Sequence, residues 1–104
     1  MKVICHYRVI RGKEGDFEKL LACHWPTLHQ LGLVTDEPSQ CFKGEEQDNG
    51  EPIYFEMFEW LGDGVDRAHG HSEVMAIWGP MDSLCETRRG KPKMEFPHVE
   101  LIGA

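Results

Sequence analysis

The chain has 104 residues, enough for one domain (residues 1–104) with a single hydrophobic core and little more. Lys and Arg number 11 against 18 Asp and Glu, a formal charge of −7. That balance speaks against nucleic acid and anionic membrane as partners, because both reward clustered positive charge, and the densest basic stretch is only Arg88-Arg89 followed by Lys91 and Lys93.

Lys2 to Ile10 is rich in β-branched and aromatic residues and predicts a strand. Its two sides carry Val3, Cys5, Tyr7 and Val9 on one and Ile4, His6, Arg8 and Ile10 on the other. Arg11 to Gly15 predicts a turn, with Asp16 as the N-cap of a helix in which Phe17, Leu20, Leu21, His24, Leu28 and Leu31 share a stripe. Pro26 predicts a kink or restart of that helix, and Gly32 its C′ residue. His24 reads as a satisfied core histidine and His29 as solvent-facing. They cannot share a metal, since five residues along a helix diverge by about 140°.

Gln40 to Glu45 predicts a polar edge strand, and Glu46 to Glu51, with Asn49-Gly50, a hairpin loop into the central strand. On that strand Ile53, Phe55 and Met57 alternate with Tyr54, Glu56, Phe58 and Trp60. After Gly62-Asp63-Gly64 comes one helical turn over Val65 to His71. Ser72 then caps a helix carrying Val74, Ile77, Trp78, Met81, Leu84 and Cys85, with Gly79-Pro80 as a kink or restart and Arg88 and Arg89 at its end. Met94 to Ile102 predicts a last strand, placed at an edge or bulged by Pro97. The order β-α-β-β-α-β is the ferredoxin-like arrangement, an α+β fold with an antiparallel sheet and two helices on one face.

Cys5, Cys23, Cys41 and Cys85 form no C-x-x-C pair, which argues against a zinc ribbon or a thioredoxin-like motif. The first residues lack a signal peptide's apolar region, and no stretch approaches the roughly 20 apolar residues of a membrane span. A cytoplasmic protein with free thiols is expected.

The apolar set Val3, Cys5, Tyr7, Val9, Ile53, Phe55, Met57, Val99 and Leu101 is the expected floor beneath the helices. The opposite face would then carry Ile4, His6, Arg8, Phe42, Tyr54, Glu56, Phe58, Trp60, Phe96, His98 and Glu100. That face has too many aromatics to leave in water and too many ionisable groups for a dry core. A partly wet cavity shared by two subunits meets both conditions, so a homodimer is expected. A small, aromatic organic molecule would stack on Tyr54, Phe58, Trp60 and Phe96. His6, His69, His71 or His98 would act as general base, Glu56 as base or as orienting carboxylate, and Arg8 would hold a developing oxyanion. Two other readings stand beside this one. One is a metal site on His69 and His71 completed by Glu56, Glu73 or His98; the other is a non-catalytic dimer whose polar cluster fixes the register of the two sheets.

Glu56-x-Phe58-x-Trp60 at the end of the third strand, followed by Ala68-His69-x-His71 before an amphipathic helix, resembles the dimeric α/β-barrel superfamily, in particular its antibiotic-biosynthesis-monooxygenase-like proteins. The resemblance spans nearly the whole chain. It implies two ferredoxin-like subunits packed sheet to sheet and, among the activities of the superfamily, cofactor-independent oxygenation in which the substrate supplies the electrons. Haem-degrading members carry an asparagine on the first strand, a tryptophan near the end of the third and a histidine ligand on the second helix. Trp60 matches the tryptophan and His69 or His71 the ligand, but Cys5, His6 and Tyr7 stand where the asparagine would be. No glycine motif for a nucleotide is present, so no cofactor is expected.

Overall fold

The computed structural model describes residues 1–103. The elements are β1 (Lys2–Tyr7), α1 (Glu14–Gln30), β2 (Gln40–Glu45), β3 (Pro52–Glu59), α2 (Gly64–Ala68), α3 (Ser72–Ser83), β4 (Met94–Glu95) and β5 (His98–Val99). The strands form one antiparallel sheet in the order β2-β3-β1-β4, with β5 also on β1. Helices α1 and α3 pack against each other on one side of it. This is the expected ferredoxin-like fold with one short helix, α2, added before α3.

Several boundaries differ from the sequence expectation for local reasons. Helix α1 starts at Glu14, so Asp16 sits in its first turn and Lys13 precedes it without a side-chain cap. It runs through Pro26 as one element; Pro26 and Ala22, whose carbonyl loses its donor, both face solvent, where water can serve that oxygen. Its end is as expected: Gly32 takes φ +72°, its N–H donates to the His29 carbonyl, and the Leu33 N–H reaches back to Leu28. Helix α3 stops at Ser83, so Arg88 and Arg89 lie beyond it. Arg88 is buried instead, donating to Glu46 and to the carbonyls of Pro52 and Val9. Pro97 divides the last strand into β4 and β5, yet the register on β1 is the same on both sides, and the Ile4 N–H still donates to the Pro97 carbonyl at 3.0 Å.

The larger correction concerns the two faces of the sheet. Val3 lies opposite Phe58, Cys5 opposite Glu56 and Tyr7 opposite Tyr54. Residues directly opposed across an antiparallel pair share a face. The side under the helices is therefore Val3, Cys5 and Tyr7 together with Tyr54, Glu56, Phe58 and Trp60, all buried. Ile53, Phe55 and Met57 belong with Ile4, His6 and Phe42 on the open face. Apolar purity along each strand points to the opposite pairing, because the burial of Glu56 is supported by hydrogen bonds from Tyr7 and His24 that the alternation does not show.

Around this floor Phe17, Leu21 and Leu28 of α1 and Val74 and Met81 of α3 complete the core. All four cysteines are free, Cys5 and Cys85 buried and Cys23 and Cys41 exposed. No helix among the described residues is long and apolar enough to cross a membrane.

Candidate functional site

Between the sheet and α3 lies a cavity of about 490 Å³. Val3, Cys5 and Tyr7 of β1 form its floor, Trp60 just after β3 one wall, and Met94, Phe96 and His98 the edge along β4 and β5. The far side is built by His24 from α1, Val65 and His69 around α2, and Met75, Trp78 and Met81 from α3. The position of α2 depends on Gly64: a Cβ there would stand 2.3 Å from the Leu33 carbonyl oxygen and 3.1 Å from the Trp60 ring. A side chain at 64 would thus push the Trp60 wall out of place.

Behind the cavity runs a buried hydrogen-bonded chain. The Trp78 indole N–H donates to His24 Nε2 at 2.8 Å, and His24 Nδ1 lies 2.8 Å from Glu56 Oε1. The Tyr7 hydroxyl donates to the same Glu56 oxygen at 2.8 Å. Glu56 is 0% exposed, and its Oε2 has no hydrogen-bond partner. An indole N–H can only donate, so Nε2 must offer its lone pair; Nδ1 then carries the hydrogen and His24 is neutral, an assignment made from the network. Burial, and after it the Glu56 charge, push the Tyr7 phenol well above its ordinary pKa. Burial and Glu56 likewise raise the Cys5 thiol. Both groups keep their protons, and Tyr7 remains a donor to the carboxylate.

The rim is differently equipped. His69 Nδ1 lies 2.9 Å from the Val65 carbonyl oxygen, to which it must donate, leaving Nε2 as a free acceptor. The His69 ring stands edge-on to Trp78 with centroids 5.0 Å apart. His98, exposed and opposite Val3, is the third imidazole of the cavity.

Of the residues singled out from sequence, His69, His98, Trp60 and Phe96 line this cavity, and Glu56 stands behind it through His24. The others are elsewhere. His6 lies on the open face against Phe55, with ring centroids 5.0 Å apart. Arg8, buried, is a strut: its two terminal nitrogens are engaged, one pairing with Glu95 at 2.6 Å and the other donating to the Pro92 carbonyl at 2.8 Å, and only the buried Nε lacks a partner. Both residues border an open groove of about 790 Å³ on that face. Tyr54 packs on Phe17 and donates to Glu18 at the other end of α1. Phe58 is buried between His24 and Trp60. His71 precedes α3, where its carbonyl accepts from Val74 and Met75. No group of three or more His, Cys, Asp and Glu among the described residues is arranged to hold a metal ion.

His24 and Trp78 were not among the residues singled out. One signal could have pointed to them. A carboxylate at a buried position of the central strand must find donors, and a histidine on the buried stripe of α1 is the nearest kind available.

The fold defines a class, the ferredoxin-like α+β domains, and solved structures of that fold superpose on the chain. SnoaB, a cofactor-independent oxygenase from Streptomyces nogalater, superposes with a TM-score of 0.70 at 13% identity, over 99% of this chain and 93% of that one. A dimeric ferredoxin-like protein of unknown function from Jannaschia sp. CCS1 gives 0.63 at 14%, covering 96% and 97%. A proposed antibiotic biosynthesis monooxygenase from Caulobacter crescentus CB15 gives 0.56 at 14%, covering 96% and 89%. At these identities the likeness is one of fold. No protein-family model and no curated protein sequence matches the chain.

Proposed function

We propose that the cavity binds a small, planar, electron-rich aromatic molecule and that the protein oxygenates it without a resident cofactor. The observation that carries this reading is the cavity itself: its volume suits a ligand of two or three fused rings, and aromatic walls and three imidazoles border one space. Trp60, Trp78 and Phe96 hold the ring system by stacking and burial. An imidazole takes the acidic proton, and the resulting anion is electron-rich enough to reduce O2 itself. His69 and His98 at the rim carry protons between cavity and solvent, and Glu56 orients His24. The likeness to a cofactor-independent oxygenase supports the reaction class.

The subunit is proposed to act as a homodimer. Its uncovered sheet face presents Phe42, half exposed, beside Ile4, Phe55 and Met57, an apolar surface that a second sheet can cover face to face. The dimeric ferredoxin-like neighbour supports a dimer. Four free thiols suit a reducing compartment, and a cytoplasmic location is proposed on that ground.

The test uses 1-naphthol. Oxygenation follows C10H8O + O2 → C10H6O2 + H2O, with one oxygen atom entering the ring as the new carbonyl of 1,4-naphthoquinone. Quinone carrying one ¹⁸O atom from ¹⁸O2, formed faster with protein than without, is the expected result. Binding without turnover would leave a ligand-binding protein, and absence of binding would refute the reading of the cavity.

A further inference from the structure

Among the cavity's imidazoles, His24 alone has both ring nitrogens hydrogen-bonded, Nδ1 with Glu56 and Nε2 with Trp78. Its tautomer is that of a general base backed by a carboxylate: Nδ1–H on the acid and the Nε2 lone pair directed away from it. The acid suits this role. Glu56 is fully shielded from water, so its charge acts on His24 almost unscreened, and the Tyr7 hydroxyl fixes it from the other side. The place where an acidic substrate proton would stand is taken by the Trp78 indole N–H. Trp78 itself is only half-buried, forms part of the cavity wall and is followed by Gly79-Pro80. The indole N–H is the side chain's one hydrogen bond to the rest of the chain, so a better donor can replace it.

We infer that His24 is the general base of the cavity, that Trp78 masks its Nε2, and that the substrate is a phenol or enol whose O–H displaces the indole N–H. This rests on the cavity being the substrate site. In the step itself the substrate O–H bond breaks and its electron pair stays on oxygen. The proton forms the Nε2–H bond, and the Nδ1–H of the imidazolium remains on Glu56 Oε1. Glu56 is a positioning residue that stabilises the imidazolium, and Tyr7 holds Glu56. A ligand that can only accept, such as an ether, meets the Nε2 lone pair with its own and leaves Trp78 in place.

The test is a titration of the full chain, carrying ¹⁵N-labelled tryptophan, with 1-naphthol and with 1-methoxynaphthalene, which has the rings but no donor. The Trp78 indole signal is identified by its loss in Trp78→Phe. The expected result has four parts. 1-Naphthol moves that signal away from its hydrogen-bonded position. It binds about tenfold more tightly than the ether. Part of the bound naphthol shows the phenolate absorption band. Trp78→Phe binds it roughly fivefold more tightly still, since no donor has to be displaced. Glu56→Gln is expected to bind 1-naphthol but to lose about nine-tenths of the phenolate band, a loss that a structural role for Glu56 would not produce. Binding of 1-naphthol with the Trp78 signal unmoved, or equal binding of the ether, overturns the inference and leaves the cavity reading intact. Failure of both probes to bind overturns both.

Discussion

Tyr7→Phe tests the buried chain with the least disturbance. The substitution deletes one oxygen from a side chain that is 1% exposed, and it keeps the ring that packs on Phe17 at 5.1 Å and on Phe96 at 6.2 Å between centroids. What is lost is the 2.8 Å hydrogen bond to Glu56 Oε1, on a carboxylate that water does not reach. Hydrogen bonds to charged groups contribute about 1.5–3 kcal/mol. Because Glu56 keeps the His24 donor, the lower half of that range applies, about 2 kcal/mol. For a domain of this size such a loss lowers Tm by about 10 °C. Urea denaturation with an unchanged m-value would report it as stability rather than as a change in the unfolded chain. Combined with Glu56→Gln in a double-mutant cycle, the pair should show a coupling of about 1–2 kcal/mol. A loss under about 0.5 kcal/mol, or no coupling, would refute the claim that Tyr7 and His24 share the carboxylate.

Three further outcomes are expected. Gly64→Ala should cost about 1–3 kcal/mol by overpacking against the Leu33 carbonyl and should change Trp60 fluorescence; a variant as stable as the parent would show that α2 does not need the close approach. The Glu95 carboxyl is held below its ordinary pKa chiefly by the hydrogen bond from Arg8. Its contribution is therefore present above the usual glutamate value, about 4.3, and is lost as pH falls through the lower folded value; Arg8→Met should flatten the acid limb of the stability profile below about pH 4. On the open face Phe55→Glu should convert the proposed dimer to monomer in sedimentation while leaving the fold, and a dimer that survives would place the interface elsewhere.

Part of the site was legible in the chain and part was not. Trp60 and His69 stand out because an aromatic at the end of a central strand and an imidazole in the loop after it point to a cavity mouth, and both border the cavity; Phe96 and His98 of the last strand border it too, but on the side under the helices rather than on the face expected for them. His6 and Arg8 carried the same chemical signal, but the open face of the sheet holds them. His24 looked like core, and it is 3% exposed; burial alone does not reveal that its two nitrogens link Glu56 to Trp78.

The order of the elements, the edge position of β2, the hairpin at Asn49-Gly50, the close of α1 at Gly32 and the ferredoxin-like class can be read from the chain alone, because each rests on periodicity or turn chemistry over a few neighbouring residues. Alternation along β3 separates Ile53, Phe55 and Met57 from Tyr54, Glu56 and Phe58, yet it does not say which set shares a face with Cys5 and Tyr7. The folded packing settles it, through the register that sets Cys5 opposite Glu56 and through the rotation of α1 that brings His24 above the carboxylate. Register and helix rotation follow from contacts between residues far apart in the chain, where one residue of slip exchanges the two faces of a strand.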